Sequence, residues 1–133
     1  MAANTRFATG VHAMVLLAAE PDVLKTSEEI ADRLGINPVV VRRIFSLLGR
    51  AGLLESQKGP HGGSKLARGA KQITLADIYR ALDGGELLHT ARTGAQSSKV
   101  SAALKRAFAR AEEAMRDELG RTTLNQIAKK SRG

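Results

Sequence analysis

Asn37 followed by Pro38 fixes the start of a helix more firmly than any other pair in this chain. Asparagine accepts a hydrogen bond from an otherwise unpaired amide at a helix N-terminus, and proline at the first helical position has a preset φ and no N–H to leave unsatisfied. Val39, Val40, Val41, Arg42, Arg43, Ile44, Phe45, Leu47 and Leu48 continue the helix, and Gly52 stops it. The run Leu53-Leu54-Glu55-Ser56-Gln57, the turn Lys58-Gly59-Pro60-His61-Gly62-Gly63 and the return Ser64-Lys65-Leu66-Ala67 then predict a two-stranded hairpin. Gly59, Gly62 and Gly63 permit backbone conformations in its turn that side chains would forbid. From Ile36 to Lys71 there are seven Lys or Arg (Arg42, Arg43, Arg50, Lys58, Lys65, Arg68, Lys71) against one acid, Glu55, a local charge of +6. A helix with adjacent arginines, backed by a cationic hairpin, suits a polyanion.

The segment before Asn37 sharpens this reading. Thr26-Ser27-Glu28-Glu29 is a capping box, in which the Thr26 hydroxyl and the Glu29 carboxylate each satisfy a backbone amide. The helix it opens turns Ile30, Ala31 and Leu34 inward and ends at Gly35, with only Ile36 before the Asn37 cap. Two short helices joined through a glycine turn form a helix-turn-helix, whose second helix enters the major groove of DNA. A first helix is expected over about residues 5–19. Its stretch Val11-His12-Ala13-Met14-Val15-Leu16-Leu17-Ala18-Ala19, with Arg6 as a positive flank, superficially resembles a signal peptide. Phe7, Val11, Met14, Val15 and Ala18 recur at helical spacing and His12 interrupts the run, so a buried helix is the better reading.

Beyond the hairpin, Thr74-Leu75-Ala76-Asp77 opens a further helix with Ile78, Ala81 and Leu82 on one face, ending at Gly84-Gly85. Residues 86–97 read as a loop. From Ser98 a long amphipathic helix carries the stripe Val100, Leu104, Phe108, Ala111, Met115 and Leu119, and Gly120 breaks it. That stripe needs a partner: the chain's own first helix, a second copy, or both. Thr122 or Thr123 caps a final short helix with Leu124, Ile127 and Ala128, followed by a basic tail expected to fray, Lys129-Lys130-Ser131-Arg132-Gly133.

Composition narrows the function classes. The net charge over 133 residues is +8, which favours nucleic acid or an anionic membrane surface over acidic small molecules as the main partner. With no cysteine, disulfides, thiolate catalysis, zinc–thiolate sites and ordinary iron–sulfur ligation are excluded. His12, His61 and His89 are far apart and no acidic cluster accompanies them, so no metal site is expected. No nucleophile–base pairing or phosphate-loop fingerprint is visible, and no segment is long enough to span a bilayer. An enzyme, a cofactor and a membrane partner are not expected, and a cytoplasmic location is.

Several blocks resemble one family. They are Thr5-Arg6-Phe7-Ala8, Ile30 to Ile36, Val41 to Leu54, the wing from Ser56 to Leu66, Ile73-Thr74-Leu75-Ala76-Asp77-Ile78 and Ala81-Leu82-Asp83-Gly84. Together they are similar to the Rrf-two family of bacterial winged-helix transcription regulators, which includes the iron–sulfur cluster regulator and the cysteine-metabolism repressor. Lys58 stands where that family usually has Arg, and Ser64 where it usually has an aromatic residue. Cluster-binding members carry three cysteines between the wing domain and the long helix, where this chain has none over residues 86–105, so cluster sensing does not carry over. The resemblance implies a mainly α fold with a small β-wing: a winged helix-turn-helix domain over residues 1–85, a loop over 86–97 and a dimerisation helix with a basic tail over 98–133. It further implies a homodimer on a palindromic operator.

The residues expected at double-stranded DNA follow. Arg42 and Arg43 point about 100° apart, so one can read a base while the other meets a phosphate. Val39 and Val40 can touch thymine methyls. Asn37, Pro38 and Thr26 sit at helix starts, which favour phosphate. Lys58, Gly59, His61, Gly62, Gly63 and Lys65 form the wing, and Arg6 is a further candidate phosphate contact. The expected function is a sequence-specific transcriptional regulator, a homodimeric repressor with an unidentified small-molecule effector or none. The rival readings are a basic architectural DNA-binding protein and a winged-helix protein-interaction module. His89 falls in the region where the family senses its signal.

Overall fold

The computed structural model describes residues 3–83 and 99–132. The expected 86–97 loop, His89 and the Gly84-Gly85 helix stop lie outside the described residues. The described chain runs α1 (Ala3–Ala19), α2 (Ser27–Leu34), α3 (Pro38–Arg50), β1 (Leu54–Gln57), β2 (Gly63–Leu66), a 3₁₀ turn (Ala70–Gln72), α4 (Leu75–Leu82), α5 (Lys99–Leu119) and α6 (Leu124–Arg132). This is a mainly helical winged-helix fold with a two-stranded wing.

Local chemistry sets the helix starts. Thr26 caps α2 through a complete capping box, with the Glu29 amide donating to Thr26 Oγ1 at 3.1 Å and the Thr26 amide donating to Glu29 Oε1 at 3.3 Å. Thr74 and Asp77 do the same for α4. Thr123, rather than Thr122, starts α6, exchanging the same pair of bonds with Gln126. Asn37 accepts from the Val39 amide at 2.9 Å, with Pro38 in the first turn of α3. Gly35 ends α2 in the left-handed region (φ 69°), the conformation that turns the chain directly into α3.

One hydrophobic core joins these elements. Met14 and Leu17 of α1, Ile30 of α2, Val41, Ile44 and Leu48 of α3, Leu53, Ile73, Ile78 of α4 and Leu124 of α6 are all buried within it. The face of α1 differs from the expected one. Gly10, Ala13, Met14 and Leu17 are buried, whereas Phe7, Val11, Val15 and Ala18 are half-buried at its margins. The reason is that α1 is enclosed from several sides, by α2, α3, α4, β2 and α6, so its apolar residues pack in more than one direction. Phe7 stands edge-on to the buried Tyr79 ring, with centroids 5.7 Å apart.

The wing is tied to the body. Leu54 pairs with Leu66 and Gln57 with Gly63 in an antiparallel register, which turns both leucines into the core. On the other edge of β2, Lys25 and Ser64 exchange backbone hydrogen bonds of 2.9 and 2.8 Å. Gly63 is required here: a Cβ on it would lie 2.9 Å from the Lys25 backbone, and its φ of 148° disfavours any side chain.

The C-terminus returns to the domain. The Leu75 amide donates to Thr122 O at 2.9 Å and the Leu124 amide to Ile73 O at 2.8 Å, which seats α6 against α1 and the 3₁₀ turn. The tail expected to fray is instead helical through Arg132. Among the partners open to α5 in the sequence, the chain's own α1 is thus covered by α6. No residue of α5 is buried; Val100 and Leu104 are exposed, while Phe108, Met115 and Leu119 are half-buried and Ala111 is exposed. Because Leu124 is fully buried, Leu124→Ala is expected to cost about 3 kcal/mol in urea unfolding; a loss below about 1 kcal/mol would mean that α6 is not part of the cooperative core.

Candidate nucleic-acid interface

Helix α3 divides into two faces. Val41, Ile44, Phe45 and Leu48 are buried, and Val39, Arg42, Arg43, Ser46, Gly49 and Arg50 are exposed. The exposed set follows the three- and four-residue spacing of one helix face, so α3 offers a continuous strip to a ligand. Val39 is 59% exposed at the N-terminal end of that strip, an apolar side chain that burial in the protein does not account for. Val40, its neighbour, is half-buried against the core and less available. Asn37 is exposed and Pro38 half-buried beside it.

The wing stands next to α3. Lys58 and His61 are exposed at its turn, and Lys65 is half-buried along β2. Gly59 occupies the left-handed region (φ 106°). Gly62 is needed for a different reason: a Cβ there would fall 2.1 Å from Gln57 O, so only glycine lets the turn close this tightly. A cleft of about 600 Å³ opens between the α2 N-terminus, α3 and the wing, lined among others by Thr26, Glu28, Arg42, Ser46, Gln57 and Gly63. The structure therefore brings Thr26, Arg42, Gly59, Gly62 and Gly63 of the expected set around one cleft, and adds Glu28, Ser46, Ser56 and Gln57.

The two arginines differ electrostatically. Arg42 Nη1 donates to Glu28 Oε2 at 2.9 Å across the helix-turn-helix. Arg43 makes no ion pair among the described residues. Sequence spacing gave no sign of the Glu28 contact, because 14 residues separate the partners and only the tertiary crossing of α2 and α3 joins them. Ser46 was recoverable, since it lies seven positions after Val39 on the same helix face.

Arg6 is engaged inside the fold. Its Nη1 donates to Leu82 O at 3.0 Å and lies 3.6 Å from Asp83 Oδ1, whose side chain is fully buried. It thus supplies a cation to the C-terminal end of α4, where carbonyls lack helical partners. It does not line the α3–wing cleft.

The sequence family agrees with this geometry. The family model Rrf2, described as an iron-dependent transcriptional regulator, matches residues 3–130. The chain belongs to the Rrf2 family. It is 34% identical over 129 residues to YwnA of Bacillus subtilis, an HTH-type transcriptional regulator by description, covering 93% of this chain and 95% of that one. Among solved structures, T. potens IscR superposes with a TM-score of 0.72 at 26% identity, covering 96% of this chain and 85% of IscR. CymR, the global cysteine regulator of B. subtilis, superposes with a TM-score of 0.71 at 25% identity, covering 94% of each chain. This member of the Rrf2 family is a DNA-binding transcriptional regulator and not an enzyme.

The iron in the family description meets a donor set that does not fit it. The chain has no cysteine thiolate, and among the described residues no group of three or more His, Asp or Glu side chains could hold an ion. No helix among the described residues is long and apolar enough to cross a membrane.

The Arg6 geometry makes a prediction. Arg6→Ala removes the hydrogen bond to Leu82 O and the ion pair with the buried Asp83 side chain, and is expected to cost about 1–3 kcal/mol in thermal or urea unfolding, with DNA affinity of the folded protein unchanged. Unaltered stability with weakened DNA binding would instead assign Arg6 to a phosphate.

Proposed function

We propose that this Rrf2 regulator acts as a homodimeric repressor on a palindromic operator, with α3 as its reading helix and the wing on the flanking backbone. The observation that carries the reading is the exposed strip of α3, in which Val39, Arg42, Arg43 and Ser46 line up beside a cationic turn. Arginine matches the O6 and N7 acceptors of guanine, and an exposed valine suits a thymine methyl. Asn37 and Pro38, at the α3 start, and Thr26, at the α2 start, suit phosphate. Lys58, His61 and Lys65 supply affinity that does not depend on sequence and falls with salt.

Dimerisation through α5 is part of the proposal. Its stripe of Val100, Leu104, Phe108, Ala111, Met115 and Leu119 has no buried member within the chain, and α6 already covers α1. A second copy crossing at α5 would cover the stripe and present two α3 helices to successive major grooves, roughly 34 Å apart. Binding there blocks polymerase in the cytoplasm. A small-molecule effector, if the protein has one, acts by shifting the population between dimers whose two α3 helices match that spacing and dimers whose helices do not.

Selection of bound sequences from a random duplex pool tests the reading. An enriched inverted repeat with half-sites about one turn apart supports it; strong retention without enrichment favours the architectural alternative. Arg42→Ala is expected to lose about tenfold in operator discrimination, whereas Lys58→Ala weakens operator and random duplex alike and lowers the salt slope by about 0.9. Leu104→Glu with Phe108→Glu is expected to give monomers in sedimentation; an unchanged dimer would place the interface elsewhere.

A further inference from the structure

The ion pair across the helix-turn-helix is the feature that the proposed function leaves unused. Glu28 lies in the first turn of α2 and Arg42 in the middle of α3, and they meet at 2.9 Å on the wall of the cleft. Both side chains are more than half exposed, at 59% and 55%. An exposed pair of this kind contributes little to folding stability. Glu28 is not the capping residue of α2 either, since Thr26 and Glu29 complete the capping box without it. Its carboxylate nevertheless faces the strip that meets a polyanion, where an acid is repelled by phosphate.

We infer that Glu28 is a specificity-positioning residue, which holds the Arg42 guanidinium in a fixed orientation for a guanine edge and withholds it from casual phosphate contact. The inference rests on α3 being the reading helix. Arginine has several N–H donors in a rigid plane, and the contact to Glu28 uses Nη1 alone, leaving other N–H groups for a base. Holding one edge of the plane reduces the rotamer freedom that would be lost when the other edge binds. On non-cognate DNA, a swing of Arg42 to a phosphate would leave the Glu28 carboxylate beside the duplex with the Ser27 hydroxyl, 3.1 Å away, but without its counter-charge. The pair therefore penalises binding that lacks the correct base, which is how an acidic residue on a DNA face raises specificity while lowering total affinity. Arg43, with no ion pair among the described residues, is the cation free to meet the backbone.

The test compares wild type, Glu28→Gln, Arg42→Gln and the double variant, with Asp32→Asn as a control that removes one exposed acid from the same helix. Affinity for the selected operator duplex and for a random duplex is measured across a salt series. Glu28→Gln is expected to bind random duplex more tightly and with a salt slope steeper by about 0.9, the signature of one more phosphate contact. Operator discrimination is expected to fall about tenfold, as when one good base contact is lost. In the Arg42→Gln background the same change is expected to leave discrimination unaltered, and Asp32→Asn is expected to keep the wild-type ratio. If Glu28→Gln keeps both slope and ratio, or lowers the ratio equally without Arg42, or matches Asp32→Asn, the assignment is overturned while the operator reading stands. A wild-type protein that binds both duplexes equally overturns the operator reading and the assignment with it.

Discussion

The fold depends on the enclosure of α1. Its apolar residues are too many and too widely spread around the helix for a single neighbouring layer, so elements from both ends of the chain close over it. The decisive contact is the return of α6, registered by the hydrogen bonds of Thr122 and Leu124 to the segment before α4. With Leu124 and Ala128 on that side, α5 packs beside α4 instead, leaving Val100 and Leu104 exposed and Phe108, Met115 and Leu119 half-buried. The division of labour between a closed DNA-binding body and an open helix is thus a consequence of packing around one helix.

Much of this was legible because the signals were local. The Thr26, Asn37 and Thr74 caps, the Gly35 turn and the glycines of the wing each depend on chemistry within a few residues, and each sits where the pattern placed it. The tertiary facts were harder. The basic tail read as frayed because its lysines are exposed, whereas Leu124 and Ala128 at the start of the helix hold it by burial against a segment some fifty positions earlier, near Ile73. The α1 face was misjudged for the same reason: helical spacing gives a stripe, but not how many neighbours will share it. At Arg6 the charge is visible in sequence, whereas its ion pair with the buried Asp83 side chain joins opposite ends of the domain and is not.

The charge of the DNA-facing surface is also less uniform than its composition suggests. A local excess of +6 contains a cation already balanced by Glu28, a cation without an ion pair among the described residues at Arg43, and exposed charges at the wing turn. Long-range attraction depends on the sum, whereas recognition depends on which guanidinium is held and which is loose. Family membership fixes the general task of the chain. Within that task, the lack of cysteine separates this chain from thiolate-held clusters.

The backbone bonds between Lys25 and Ser64 carry a mechanical implication. They stitch the outer edge of the wing to the connector that leads into α2, while Leu54 and Leu66 anchor its inner side to the core. Wing, α2 and α3 are consequently tied into one body at both edges of the wing. Under the proposed dimeric mode of action, a signal that tilts or separates whole bodies would leave these hydrogen bonds intact, whereas one that bends the wing away from α2 would have to break them.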